Sequence, residues 1–176
     1  MHLPLHAPEV NTANIEKLRS TGIIAEALSW IEGLASKTSL KKRQKTEARQ
    51  EDIDTLERAG IIERCTKEQI VTTGSLFSVV EEEKKRRRPI YWPKALNKAV
   101  EDKIPQVELQ DPIEHARIDK NVWAATFDIK ASFFQVELPP RTREFFGLMT
   151  NCGCHRFKGL PMGFNASPFV RGNRRE

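Results

Sequence analysis

Eight consecutive charged residues, Glu81 through Arg88, stand between two runs of β-branched and aromatic residues, Leu76 to Val80 and Pro89 to Trp92. The flanks favour extended backbone, and the charges cannot be buried between them, so the pattern predicts a β-hairpin with a charged tip. A chain built around such an element needs further apolar segments to cover one face of it.

Those segments are present. Apolar residues make up 39% and charged residues 30% of the 176 residues, enough for a packed core and far from a disordered composition. The formal charge of +5 is compatible with a polyanionic partner and equally with a solvated surface. Cys65, Cys152 and Cys154 are too few and too oddly numbered for a disulfide framework, which points to a reducing compartment. No basic segment leads into an apolar run at Met1 to Glu9, and nowhere do 18 apolar residues run together. The expected location is therefore cytoplasmic or nuclear, with no membrane partner.

Upstream, Ile15, Leu18, Ile23, Ala27, Trp30, Ile31 and Leu34 recur at mostly helical spacing between Asn14 and Ala35, interrupted by Gly22. This stretch, residues 14–35, is a candidate docking element for a protein partner. Lys37 to Gln50 is polar and basic and reads as a linker or an exposed helix start. Asp52 to Ile62 predicts a short amphipathic helix ended by Gly60. Cys65 reads as a half-buried helix-end residue. Lys94 to Glu101 predicts another helix, followed by an acidic connection broken by Pro105 and Pro112. Val122 to Ile129 reads as a buried strand ending on Asp128. Phe145 to Thr150 and His155 to Lys158 are expected to pair across Asn151 to Cys154, where Gly153 permits a positive φ. Ser167 and Pro168 read as the cap and first residue of a further helix. Cys152, Cys154 and His155 together resemble a zinc half-site, but no second pair of ligands is spaced to complete it, and a plain turn accounts for them.

The segment that carries chemistry is Phe127-Asp128-Ile129-Lys130-Ala131-Ser132-Phe133-Phe134-Gln135-Val136. A carboxylate ending an apolar strand is rigidly held yet open to solvent, which suits a metal ligand and equally a turn or cap. Three other segments set its context: Leu56-Glu57-Arg58-Ala59-Gly60-Ile61-Ile62, then Arg86-Arg87-Arg88-Pro89-Ile90 with Ala95-Leu96-Asn97, and Leu160-Pro161-Met162-Gly163-Phe164 leading to Ser167-Pro168. In this order and spacing the four segments resemble the fingers and palm of reverse transcriptases, especially those of retrotransposons, over residues 53 to 170.

The resemblance implies an α+β fold: the fingers and partial palm of a right-hand, reverse-transcriptase-like polymerase, truncated. It divides the chain into a helical and basic extension (1–50), a fingers-like region (51–104) and the first half of a palm (105–176). Asp128 matches the palm's first catalytic aspartate, which with the Ile129 carbonyl binds magnesium in that family. Phe133 matches the aromatic gate under the deoxyribose, and Arg88 the fingers arginine against the triphosphate. Gly163 matches the loop shaping the nucleotide pocket. The implied partners are an RNA or DNA template-primer and a deoxynucleoside triphosphate (dNTP). The chemistry fits: an arginine fork suits a triphosphate, and a bulky ring discriminates against a 2′-hydroxyl by volume.

The sequence also departs from the family. Glu81 stands where a lysine is often found, with Lys84 or Lys85 as substitutes. Trp92-Pro93 stands where many relatives have an Asp together with an aromatic residue, and Met162 stands where some viral relatives have a polar one. The family's Tyr/Phe-x-Asp-Asp pair has no counterpart, since no Asp-Asp occurs in the 176 residues. Arg171 to Glu176 carries no apolar residue where a palm helix would continue. The expectation is a fragment without polymerase activity by itself, or a remnant that only binds nucleic acid or a protein partner.

Overall fold

The computed structural model describes residues 2–8, 10, 40, 43–104 and 133–168. The expected helical stretch 14–35, most of the basic run 37–42, the Pro-broken connection, the strand ending at Asp128, and the tail 171–176 lie outside the described residues. The described residues form a mixed α and β structure with two sheets. Strand β1 is Lys45–Thr46, helix α1 Gln50–Arg58, β2 Ile62–Arg64, β3 Ser75–Glu81, β4 Arg86–Trp92, α2 Lys94–Val100, α3 Pro140–Arg143, β5 Gly147–Thr150 and β6 Gly153–Phe157. The larger sheet has the order β1-β5-β6-β2, with β1 parallel to β5 and the other pairs antiparallel. Strands β3 and β4 form a separate antiparallel hairpin. No described helix is long and apolar enough to cross a membrane.

The first motif segment shows why the chain turns where it does. Helix α1 runs to Arg58 and is ended by Gly60 as expected, because Gly60 adopts φ +72° and reverses the backbone, leaving Ile61 and Ile62 outside the helix. The Gly60 N–H donates to the Glu57 carbonyl and the Ile61 N–H to the Leu56 carbonyl, while Leu56 and Ile61 are both buried. This is a Schellman ending with its hydrophobic contact. It delivers Ile62 directly into β2, opposite Phe157. Cys65 is accordingly a strand-end residue rather than a helix-end one: its N–H continues the ladder to the Cys154 carbonyl at 3.1 Å.

The β5–β6 hairpin turns at Asn151-Cys152, with Gly153 at φ +117° opening β6. Phe145 and Phe146 precede β5 instead of belonging to it, in a turn held by bonds from their N–H groups to the Thr142 and Arg143 carbonyls. Arg143 secures that turn. It is buried, donates Nε to the Leu138 carbonyl, and pairs with Glu63 at 2.9 Å and Glu137 at 2.7 Å. Burial alone would raise the Glu63 carboxyl, but hydrogen bonds from Arg156 and Arg143 outweigh it and hold the group below its ordinary range.

Residues 134–138 and 158–160 run antiparallel, joined by bonds from Leu138 N–H to the Lys158 carbonyl and from Leu160 N–H to the Val136 carbonyl. Phe134, Val136, Leu138, Phe146, Leu148 and Phe157 thereby enter one core with Ile53, Leu56 and Leu96. Ser167 begins a helical turn as expected, yet its hydroxyl donates to the Pro161 carbonyl at 2.7 Å and closes the preceding loop instead of capping.

His155 is 1% exposed, and neither ring nitrogen has a hydrogen-bond partner. Burial pushes its pKa down, with Glu57 opposing and Arg64 assisting. A histidine depressed in the fold leaves the unfolded chain holding more protons, so its contribution is intact above the unfolded value near 6.5 and lost as pH falls below it. Thermal melts between pH 8 and 5 are therefore expected to fall below about pH 6.5. His155→Leu is expected to remove that step and leave the later loss from Glu63, below its ordinary 4.5. Melts of the two proteins that stay parallel through this range would contradict the assignment.

Candidate nucleic-acid interface

The β3–β4 register sorts the hairpin into two faces. Leu76 lies opposite Tyr91, Ser78 opposite Pro89 and Val80 opposite Arg87, and opposed residues share a face. Tyr91 and Pro89 are buried, so this face looks into the core. The other face pairs Ser75 with Trp92, Phe77 with Ile90, Val79 with Arg88 and Glu81 with Arg86. Phe77, Val79 and Trp92 are 48%, 43% and 45% exposed, so the outer face presents apolar and aromatic surface to solvent.

The three arginines of the second motif have different fates. Arg87 turns inward and forms a two-pronged pair with Asp52 at 2.6 and 2.8 Å, donates Nε to the Leu3 carbonyl, and reaches Ser78. Its backbone exchanges bonds with Pro4 and His6, so the segment at residues 4–6 lies parallel along β4. Arg86 is held by Glu81 at 2.5 Å. Arg88 is 44% exposed and only loosely near Glu81, at 3.8 Å. The hydrogen bond from Arg86 holds the Glu81 carboxyl below its usual range, so Glu81 is anionic at neutral pH. Lys85 stands exposed at the tip, in the left-handed region at φ 50°.

At the other end of the hairpin, Lys94 Nζ lies over the Trp92 ring, 5.4 Å from its centroid. An open cleft of about 300 Å³ continues from there, lined by Trp92, Lys94, Lys98, Thr73 and Gln44. The outer face thus runs from Arg88 through Ile90 and Phe77 to Trp92 and the two lysines.

The fourth motif is built against the end of β4. A side chain on Gly163 would run into the Tyr91 carbonyl oxygen and the Trp92 Cα, so only glycine allows this approach. Asn97, buried on α2, donates to the Gly163 carbonyl at 2.9 Å and accepts from the Asn165 N–H at 2.9 Å. One apolar crevice beneath the hairpin is lined by Leu56, Leu76, Pro89, Tyr91, Phe134, Phe157 and Met162. It takes at least one residue from each of the four motif segments.

Phe133 lies half-buried against the core, and its carbonyl accepts the Val136 N–H. Asp128 and Ile129 lie outside the described residues. Among the described residues, no three His, Cys, Asp or Glu groups are placed to hold a metal. Sequence reasoning missed Tyr91 and the Asp52–Arg87 pair, and it singled out Asn97 within the second motif without giving it a role. Strand alternation could have separated Tyr91 from Trp92, whereas a pair 35 positions apart leaves no local signal.

Two solved structures share this fold. The foamy viral protease-reverse transcriptase in complex with dsDNA matches with a TM-score of 0.59 at 15% identity, over 96% of this chain and 42% of that one. The foamy viral protease-reverse transcriptase dRH in complex with dsDNA matches with a TM-score of 0.56 at 15% identity, over 97% of this chain and 36% of that one. The chain therefore spans less than half the length of either structure. No family model and no curated protein matches the sequence. At this identity the likeness establishes a reverse-transcriptase-like fold.

The inner and outer arginine assignments separate on substitution. Arg87→Met strands the Asp52 carboxylate in a mostly enclosed position and is expected to cost about 2–3 kcal/mol. Arg88→Met, on the open face, is expected to stay within about 0.5 kcal/mol of the parent. Urea melts of the two variants check this, and equal losses would contradict it.

Proposed function

We propose that these residues are the fingers and the first half of the palm of a retrotransposon-type reverse-transcriptase domain, whose hairpin holds single-stranded template and nucleotide. The observation that carries the reading is Arg88. It alone of three successive arginines is neither buried nor held by a short ion pair, and it shares an open face with Phe77, Ile90 and Trp92. A cation fork beside aromatic surface suits a polyanion with stackable bases. Lys85 at the tip and Lys94 and Lys98 at the base add further phosphate-directed charge.

In this reading Phe133 excludes the 2′-hydroxyl, Gly163 shapes the nucleotide pocket, and magnesium belongs to Asp128 and the Ile129 carbonyl. The fold shared with the two DNA-bound structures supports the domain reading, and these residue roles rest on the motif resemblance. Phosphoryl transfer by two cations needs several fixed oxygen ligands, and the 176 residues carry no second carboxylate pair of the Asp-Asp kind. The isolated chain is therefore expected to bind without extending a primer.

Glu81 opposes binding. Its carboxylate pairs with Arg86 and reaches Arg88. An incoming phosphate must compete with it for the guanidinium. Fluorescence anisotropy with labelled single-stranded RNA at low salt tests the reading. Arg88→Ala is expected to weaken binding and reduce the salt slope by about one phosphate contact. Glu81→Gln is expected to tighten binding a few-fold by releasing Arg88. Binding unaltered by both changes would overturn the proposal, and magnesium-dependent primer extension by the isolated chain would contradict the expectation that it binds without extending.

A further inference from the structure

Cys65 and Cys154 stand directly opposite each other across β2 and β6. The register of these strands pairs Ile62 with Phe157, Glu63 with Arg156 and Arg64 with His155, and one further step pairs the two cysteines. The Cys65 N–H bonds to the Cys154 carbonyl at 3.1 Å, so the ladder continues to that position. Side chains two positions apart on a strand share a face. The pair two positions back, Glu63 and Arg156, meets side chain to side chain at 2.7 Å, which places the two thiols together on that same side. Residues opposed in this way have Cα atoms about 5.5 Å apart, inside the range of about 4.4–6.8 Å that a disulfide spans. Their Cβ atoms lie about 4.5–5.5 Å apart, so closure asks a small approach of the strand end beyond the single Cys65 N–H bond. Both cysteines are half-buried and free, within reach of a small oxidant.

We propose that Cys65 and Cys154 form a reversible dithiol–disulfide site that staples the outer strand β2 to β6, with glutathione disulfide or a comparable small disulfide as oxidant. One thiolate attacks the oxidant, forming a mixed disulfide and releasing one glutathione. The second thiolate then attacks the protein sulfur of that mixed disulfide, closes the Cys65–Cys154 bond, and releases the second glutathione. Two electrons pass to the oxidant, and the two thiol protons end on the two glutathione molecules. Burial pushes the Cys65 thiol up to about 11. Cys65 is therefore seldom a thiolate near neutral pH, and the step in which it attacks accelerates with pH.

The neighbouring groups do not offer a metal site instead. His155 projects into the core from the opposite face, and Cys152 sits on the turn with its Sγ toward the Ala48 carbonyl. Among the described residues no third donor joins the two thiols. The site is independent of nucleotide or nucleic acid.

The test is equilibration of the purified chain in glutathione buffers of increasing oxidation, followed by alkylation and tandem mass spectrometry. The three thiols are expected to fall to one, with Cys65 and Cys154 joined at a loss of about 2 Da and Cys152 alkylated. Closure is expected to run faster at pH 8.5 than at pH 7. Cys152→Ser is expected to retain the bond. In strong urea the same bond is expected to need a poise about tenfold or more as oxidising, because the fold no longer holds the thiols opposite each other. Three alkylated thiols at the most oxidising poise, glutathione adducts without closure, a bond through Cys152, or equal ease in urea would each overturn the proposal.

Discussion

Tyr91 joins the parts that the rest of the structure depends on. Its ring lies 4.3 Å from that of Phe157 on the larger sheet, and its buried hydroxyl donates to the Gly147 carbonyl at the start of β5. Its backbone carbonyl receives Gly163, and a side chain at Gly74 would meet its ring at 2.5 Å. Burial drives the phenol far above its ordinary pKa, so the hydroxyl remains a donor across the working range. Large aromatic burial with a satisfied polar end is a strong, directional contact. Here it fixes the separate hairpin against the sheet and positions the 160–166 loop beside it.

With the hairpin fixed, its two faces acquire opposite roles. The inner face spends its polar groups on structure: Arg87 ties β4 to α1 and to the segment at residues 4–6, where a carboxylate and a carbonyl satisfy its fork. The outer face has apolar side chains that the described core does not cover and a guanidinium held only at 3.8 Å. Solvent-exposed ion pairs contribute little to stability, so a loosely paired Arg88 is readily available to a stronger anion. Glu81, where the resembled family often carries a lysine, moderates that availability.

The sequence made the hairpin legible because eight charges cannot be buried between strand-forming runs. It misplaced the inner limit of the tip, since Arg86 to Arg88 lie in the strand, where Glu81 pairs across to Arg86 and Asp52 takes Arg87. Helix α2 and the β5–β6 hairpin were legible to within a few residues from periodicity and Gly153. Two-residue β1 and the bridge of Leu5 to Arg87 were not, because such pairings rest on contacts between distant positions. The four motif segments were recognisable by order and spacing alone. That they line one crevice is a tertiary fact, carried by Tyr91, Asn97 and Gly163, which no local pattern announces.

The central claim is that the outer face of the hairpin, and not the inner one, meets nucleic acid. Ultraviolet cross-linking of a uridine-rich single strand to the chain, with the adducts mapped by peptide mass spectrometry, addresses this most directly. The account predicts adducts at Phe77 and Trp92 that fade with added salt. Adducts confined to other surfaces, with Phe77 and Trp92 unmodified, would contradict it.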